Sequence, residues 1–341
     1  MLAASLALVG FLGARALTGQ AAIGPAPLNP TEALFGRLHA AVERADYRLV
    51  QVRRVRGYFQ GLGRGGEWVG AVESLLHRGA NAGVPEGFSL DLLGFENTTL
   101  SPAQLAHRQR VYQGQASFLV RYQSFRVFDP KLAALGYGVQ FVGQVTRVQR
   151  ACLRLAVVAR TADRPSWLID VDLGTDYPLY CAEFTPRGEL VAELEVLRVD
   201  FGAAAQVPPG DAWTWSPRVG VVEPATVDEA FVRMRPVQVL APAATTVGSG
   251  YALERTRVLT DPLTAQSTLT LVYTDGIDAA FVSQTAKAPL VDDGHVAQVF
   301  TDAGITQCRF QHKSTEFLII GRHAQVREVA RLIYAQAVAA F

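Results

Sequence analysis

Two aspartates, Asp170 and Asp172, are the residues of this chain whose type and spacing most readily suggest chemistry. They alternate with Trp167, Ile169 and Val171, which is the period of a strand with one buried face. Two carboxylates on one strand face could hold a metal or act as general acid and base. We favour the simpler interpretation, in which both aspartates lie on the solvated outer face of a sheet.

Other motifs with catalytic or cofactor-binding potential are weak. Gly61–Gly66 satisfies G-x-G-x-x-G, but Trp68–Val72 is typical of a returning strand and no βαβ pattern follows, so a glycine-rich hairpin is the better interpretation. The histidines and cysteines lack metal-ligand spacing, and nucleophile motifs such as G-x-S-x-G are absent from the sequence. We therefore expect no catalytic residues, no metal site and no cofactor.

The composition indicates a globular protein with room for two domains. The chain has 341 residues, of which 49% are hydrophobic and 18% charged. Its net charge of +1 argues against dedicated nucleic-acid binding, which needs a basic surplus. We interpret the basic stretch Arg53–Arg56 as an exposed strand with extended side chains.

The N-terminus predicts export. Leu2–Leu12 forms an apolar run that is too short to span a bilayer, and small residues at Gly19–Ala21 offer a cleavage site. We predict a signal peptide over residues 1–23 and a periplasmic or extracytoplasmic location. Whether the segment is cleaved stays open.

The three cysteines, Cys152, Cys181 and Cys308, are an odd set for an exported chain. Cys152 and Cys181 fall on predicted strands that should not be neighbours. We favour three buried free thiols, and leave a disulfide between Cys152 and Cys181 open.

The remaining sequence divides into two units. Residues 29–202 are predicted to form a long antiparallel sheet with helices starting at Asn29 and Ser101, and they include a strand over Ala116–Phe128. Residues 203–224, which contain Trp213 and Trp215, are a predicted linker. Residues 225–341 are a smaller α+β domain with a hairpin turn at Thr274–Gly276 and an amphipathic final helix.

A meander over Trp167–Phe201 is the clearest strand pattern in the chain. Its turn at Thr185–Gly188 has proline and glycine at positions that suit a tight turn. The apolar residues of its third strand change phase between Val196 and Leu197. That change predicts a β-bulge or a strong bend.

Two motifs resemble a known family, the periplasmic sigma-E factor regulatory proteins (RseB/MucB). The first is Asp172–Leu179, followed by Gly188 and a strand end at Phe201-Gly202. The second is Leu271–Val282, which is similar to the family's C-terminal "vYSDGlasvSVF" segment. Ile319–Gly321, followed by a final helix, is similar to the family's ending.

The resemblance implies an α+β protein with two domains. The N-terminal domain would be a curved antiparallel half-barrel with covering helices, like the lipoprotein-carrier (LolA-like) fold, and a smaller C-terminal α+β domain would follow. Family members bind the extracytoplasmic part of a membrane-anchored anti-sigma factor, and lipid-type signals release it. A similar role in the envelope stress response is implied here.

A curved sheet of this kind could bury acyl chains on its concave face, at about 0.8 kcal/mol per buried methylene. The predicted ligand-binding residues are Phe141, Trp167, Ile169, Val171, Leu190 and Leu194. Two alternatives remain: a periplasmic lipid or lipoprotein carrier without a signalling role, and an uncharacterised envelope enzyme. The ligand, the partner and homo-oligomer formation stay open.

Overall fold

The structure is a computed structural model, and it describes fourteen stretches of the chain. These stretches are residues 29–56, 68–79, 87–96, 101–103, 106, 125–207, 220–222, 227–234, 240–248, 250–260, 266–288, 298–302, 305–321 and 326–340. The predicted signal peptide, the Gly61–Gly66 motif and the Trp213–Trp215 stretch lie outside the described residues. Most of the strand predicted over Ala116–Phe128 lies outside them too, and its described end, Phe125–Phe128, is not strand.

The first sheet contains eight antiparallel strands in the order β3-β2-β1-β8-β7-β6-β5-β4. β1 and β8 are neighbours inside the sheet. The meander β4 to β8 therefore joins the meander β1 to β3 through this pair. The strands are β1 Tyr47–Arg56, β2 Trp68–Arg78, β3 Gly87–Phe95, β4 Tyr137–Arg147, β5 Arg150–Ala159, β6 Ser166–Asp172, β7 Pro178–Phe184 and β8 Leu190–Phe201.

The predicted bulge is confirmed in β8. Val50 of β1 pairs with Arg198, and the next residue, Gln51, pairs with Val196. Leu197 is therefore the extra residue of the bulge, and it is exposed. The predicted turn before β8 is confirmed as well, since Gly188 closes it with a positive φ of 79°.

Two helices contribute to the cores on the first sheet. α1 (Pro30–Arg44) begins as the sequence predicts: Asn29 Oδ1 accepts a hydrogen bond from the Thr31 amide at 3.0 Å. α2 (Pro130–Gly136) was not predicted, although Asp129 followed by Pro130 is a recognisable helix start. Within the described part of the chain, no helix is long and apolar enough to cross a bilayer.

The second sheet has seven antiparallel strands in the order β13-β14-β15-β12-β11-β10-β9. Three helices contribute buried residues to its main core. The strands are β9 Gly220–Val222, β10 Ala252–Thr260, β11 Ser267–Thr274, β12 Ala279–Ala286, β13 Gln298–Asp302, β14 Ile305–His312 and β15 Thr315–Gly321, and the helices are α3 Val227–Met234, α4 Ala244–Val247 and α5 Val326–Ala340. The first strand of this sheet, β9, lies within the stretch predicted as a linker.

All three cysteines are buried and free, as the sequence analysis favoured. Cys152 lies on β5 and Cys181 on β7, with β6 between them. Cys308 lies on β14 in the second sheet.

The expectation that Asp170 and Asp172 lie on a solvated face is wrong. Their exposed fractions are 0% and 2%. Arg154, directly opposite Asp170 on β5, donates to both of its carboxylate oxygens at 2.7 and 2.8 Å, and Arg147 donates at 2.8 Å. Arg150 makes the corresponding two-bond contact with Asp172 at 2.9 and 2.8 Å. Arginine side chains therefore replace water around both carboxylates.

The ion pairs continue across the same sheet. Arg147 also binds Glu195, which binds Arg54, and Arg54 in turn contacts Glu96 through two nitrogens. Burial alone would raise the pKa of Asp170, but hydrogen bonds from Arg154 and Arg147 outweigh it and hold this pKa below its usual value. The aspartate is thus held ionised as a structural group.

The expectation of an exposed Arg53–Arg56 strand fails at Arg53. Its side chain is 3% exposed and pairs with the fully buried Glu73 at 2.9 Å. Arg53 and Glu73 lie on neighbouring strands, β1 and β2. Arg53, which the sequence analysis expected at the surface, is therefore buried.

We predict that Asp170→Asn destabilises the protein by about 2 kcal/mol, because Arg147 and Arg154 lose a charged partner in a buried site. Urea unfolding monitored by far-UV circular dichroism measures this change. Asp176→Asn is the matched control, since Asp176 pairs with Arg37 at a site where both side chains are more than a third exposed. Its expected cost is below about 0.5 kcal/mol, and equal costs would contradict the assignment.

Candidate functional site

A buried apolar cluster lies between the first sheet and the elements that cover it, and we call it the apolar cluster. Side chains from α1, α2, the segment before α2, five strands of the first sheet and the β11–β12 turn of the second sheet contribute to it. Its members are Phe35, Leu38, Phe125, Val127, Ala133, Ala134, Tyr137, Leu155, Val157, Trp167, Ile169, Val171, Cys181, Leu194 and Ile277.

Four of the six predicted ligand-binding residues meet in this cluster: Trp167, Ile169, Val171 and Leu194. The indole of Trp167 makes edge-on contacts with the rings of Phe125 and Tyr137, at centroid distances of 5.8 and 5.5 Å. The two remaining residues lie elsewhere. Leu190 is half-buried at the start of β8, and Phe141 is 58% exposed on the edge strand β4.

Among the residues that the structure describes, little empty space remains beside the cluster. A cavity of about 20 Å³ is lined by residues that include Phe125, Cys181 and Leu194. That volume is enough for one water molecule. Ligand pockets of about 300 Å³ or more are usual for small molecules, so this cavity is too small for an acyl chain.

One wall of the cavity is charged. Arg53, paired with Glu73, and Arg126, paired with Glu43 at 2.6 Å, both line it. Arg126 is 2% exposed. The lining of the cavity therefore combines apolar side chains with two buried guanidinium groups, each paired with a carboxylate.

The β11–β12 hairpin of the second sheet reaches the apolar cluster through its turn, Asp275–Asp278. The carbonyl oxygen of Gly276 accepts hydrogen bonds from the amides of Phe128 (2.8 Å) and Asp129 (3.3 Å), just before α2. Gly276 has a φ of 105°, and a Cβ there would overlap the Ala133 nitrogen and lie 2.7 Å from the Asp129 oxygen. The residue at this position must be glycine for the two backbones to come so close.

Asp275 is the polar centre of this contact and is 1% exposed. Its Oδ2 accepts hydrogen bonds from the Tyr137 hydroxyl at 2.8 Å and from Arg164 at 2.9 Å. Both residues lie in the part of the chain that forms the first sheet. Its Oδ1 accepts from the amides of Ile277 and Asp278, at 3.1 and 2.9 Å. One carboxylate thus shapes the turn and binds it to the first sheet.

A second buried carboxylate, Asp278, lies in the same turn and accepts a hydrogen bond from the Tyr251 hydroxyl at 2.7 Å. The guanidinium of Arg164 lies over the ring of Tyr251, 5.4 Å from its centroid. Gly136 and Gly250 leave room for this guanidinium, since a Cβ on either would lie 2.9 or 3.2 Å from it.

Two carboxylates in a site this dry repel each other. Burial first, and then the charge of Asp278, raise the pKa of Asp275 to about 6, against the opposing attraction of Arg164. Burial and the same carboxylates raise the pKa of Tyr137 well above its usual value. Its hydroxyl therefore keeps its proton and donates a hydrogen bond to Asp275.

Sequence reasoning recognised the turn but not its contacts. It missed Tyr137, Arg164, Tyr251 and Ile277 as members of this junction. One signal was present: the isoleucine in the turn stands where an exposed hairpin would carry a polar residue. In the described part of the chain, no group of three or more His, Cys, Asp or Glu side chains could hold a metal ion.

We predict that the junction is strengthened by acid. Because the pKa of Asp275 is raised from 3.8 to about 6 in the folded chain, its contribution is fully present below about pH 4 and is lost as the pH rises through 6. From pH 4 to pH 7, the free energy of unfolding should fall by about 2 kcal/mol relative to that of Asp275→Asn. Urea unfolding of both proteins across this range measures it.

The pH dependence of the free energy of unfolding should have the opposite sign when the protein is compared with Asp170→Asn. Since the pKa of Asp170 is lowered in the folded chain, its contribution is lost as the pH falls. A parallel pH trend in the two comparisons would contradict the assignment of Asp275.

Comparisons with known proteins identify similar chains. No protein-family model matches the sequence. The chain is 29% identical over 153 residues to the sigma factor AlgU regulatory protein MucB of Pseudomonas aeruginosa. The aligned region spans about half the length of that relative, 45% of each chain.

The similarity in fold is more extensive than the similarity in sequence. A chain of the Pseudomonas aeruginosa MucA/MucB complex matches with a TM-score of 0.53 at 18% identity, covering 89% of this chain and 97% of that chain. A crystal structure of MucB matches with a TM-score of 0.52 at 18% identity, covering 86% and 92%. The resemblance to the RseB/MucB regulators, first seen in two short motifs, is thus confirmed.

Proposed function

We propose that this chain is a regulatory protein that binds the extracytoplasmic part of a membrane-anchored anti-sigma factor. The observation that carries the proposal is the similarity to MucB, in sequence over 153 residues and in fold over most of the chain, including a chain from a complex with MucA. Binding, with no catalytic step, is the proposed activity.

The proposal includes export and a division into two domains. Residues 1–23 would act as the signal peptide and direct the protein to the periplasm. Residues 29–202 would form a half-barrel domain of the lipoprotein-carrier type, followed by a linker over 203–224 and a second domain over 225–341. The two separate sheets support this division.

An amphipathic or lipid ligand is proposed as the signal. The apolar cluster would receive acyl chains at Trp167, Ile169, Val171 and Leu194. An anionic head group would compete with Glu73 and Glu43 for the buried guanidinium groups of Arg53 and Arg126 beside it. Because the cluster is closed in this structure, ligand entry requires a change of conformation. That requirement favours a sensor over a simple carrier.

We predict that the purified full-length protein binds a synthetic peptide covering the extracytoplasmic part of the anti-sigma factor encoded in its own genome. Isothermal titration calorimetry should give a saturable isotherm with one peptide per chain and a dissociation constant in the micromolar range or tighter, about −8 kcal/mol. A peptide with the same composition in scrambled order is the control.

A capture experiment tests the same interaction in the envelope. Tagged protein, incubated with detergent-solubilised envelope of its own organism, should retain the single-span anti-sigma factor, and the free peptide should compete it off. Equal binding of native and scrambled peptides, or failure to retain the anti-sigma factor, would overturn the proposed partner.

A further inference from the structure

Ile277 occupies an unusual place for a residue in a hairpin turn. It is 3% exposed and belongs to the apolar cluster of the first sheet, although its own strands, β11 and β12, belong to the second. The same cluster contains Trp167, Ile169 and Val171, which the proposed function assigns to the ligand. The second sheet therefore fills part of the site that a ligand would occupy.

As far as the described residues define it, the closed cluster has no room for both Ile277 and an acyl chain. The neighbouring cavity, about 20 Å³, has room for one water molecule. Protein interiors are close-packed and do not stretch continuously to admit a guest. An acyl chain can therefore enter only if one of the covering elements moves away.

The hairpin and α1 are held against the cluster in different ways. α1 buries Phe35 and Leu38 in the cluster and is joined directly to β1. The hairpin contributes one apolar side chain to the cluster, Ile277, and its turn carries two buried carboxylates, of which Asp275 pairs with Arg164 at 2.9 Å. Repulsion between the two buried carboxylates opposes docking of the hairpin.

We propose that the β11–β12 hairpin is an autoinhibitory plug: Ile277 and an acyl chain compete for the apolar cluster, so that ligand binding releases the second sheet from the first. This inference rests on the lipid-type ligand of the proposed function and adds how that ligand changes the protein. Release would separate Gly276 from Phe128 and Asp129, and Asp275 from Tyr137 and Arg164.

The Phe128 and Asp129 amides report directly on docking, because both donate to the Gly276 oxygen. Hydrogen exchange of a peptide spanning residues 125–137, followed by mass spectrometry on the full-length protein, measures their protection. We expect dansyl-undecanoic acid, a fluorescent fatty acid, to bind the protein and to speed exchange at these amides.

Gly276→Ala should mimic release, because its Cβ would overlap the Ala133 nitrogen. We expect faster exchange at Phe128 and Asp129 without ligand, and an affinity for the probe that is at least about tenfold higher than in the unmodified protein. Gly188→Ala is the matched control. Gly188 also has a positive φ, 79°, in a hairpin turn, but no atom lies within 4 Å of its Cβ position.

A milder variant covers the case in which Gly276→Ala fails to fold. Tyr137→Phe keeps the ring in the apolar cluster and removes only the hydrogen bond to Asp275. We expect a smaller change in the same direction for both exchange and affinity. Gly188→Ala should match the unmodified protein in both measurements.

Three results would overturn the plug. The first is equal probe affinity in the unmodified protein, Gly276→Ala and Tyr137→Phe. The second is probe binding that leaves exchange at Phe128 and Asp129 unchanged, and the third is no probe binding to any of the proteins. The anti-sigma peptide titration is independent of the probe, so the proposed partner stands or fails separately from the plug.

Discussion

The buried carboxylate of Asp275 needs donors from both parts of the chain, and the arrangement of the junction follows from that need. Its four hydrogen bonds come from Tyr137, Arg164 and two amides of its own turn. A desolvated carboxylate without such partners would cost several kcal/mol. The turn therefore docks in one position, where Gly276 meets the start of α2 and Ile277 reaches the apolar cluster.

The first sheet also buries carboxylates, and it contains more of them than the junction does. Asp170, Asp172 and Glu73 are buried, and each is paired with at least one arginine. Where the arginines keep a partly exposed side chain, as Arg154 does beside Asp170, they connect the buried carboxylate to solvent. The charges of this sheet are thus structural, and they hold neighbouring strands in register.

Local signals in the sequence predicted most of the elements well. Alternating apolar residues located the meander, the cap at Asn29 located α1, and the phase change after Val196 located the bulge at Leu197. These features depend on neighbours along the chain, so a single sequence contains enough information for them. α2 was not predicted, although Asp129 followed by Pro130 is a recognisable helix start.

The sequence alone determined most of the strand pattern and the family resemblance. Of the six residues that it predicted for a ligand site, four meet in the apolar cluster. Only the tertiary structure decided which polar residues are buried, since the partners of Asp170 and Arg53 lie on neighbouring strands and not beside them along the chain. It also decided that the hairpin of the second sheet closes the cluster. The Asp275 carboxylate and the Tyr137 hydroxyl that meet there are 138 positions apart, and such contacts follow from packing rather than from local pattern.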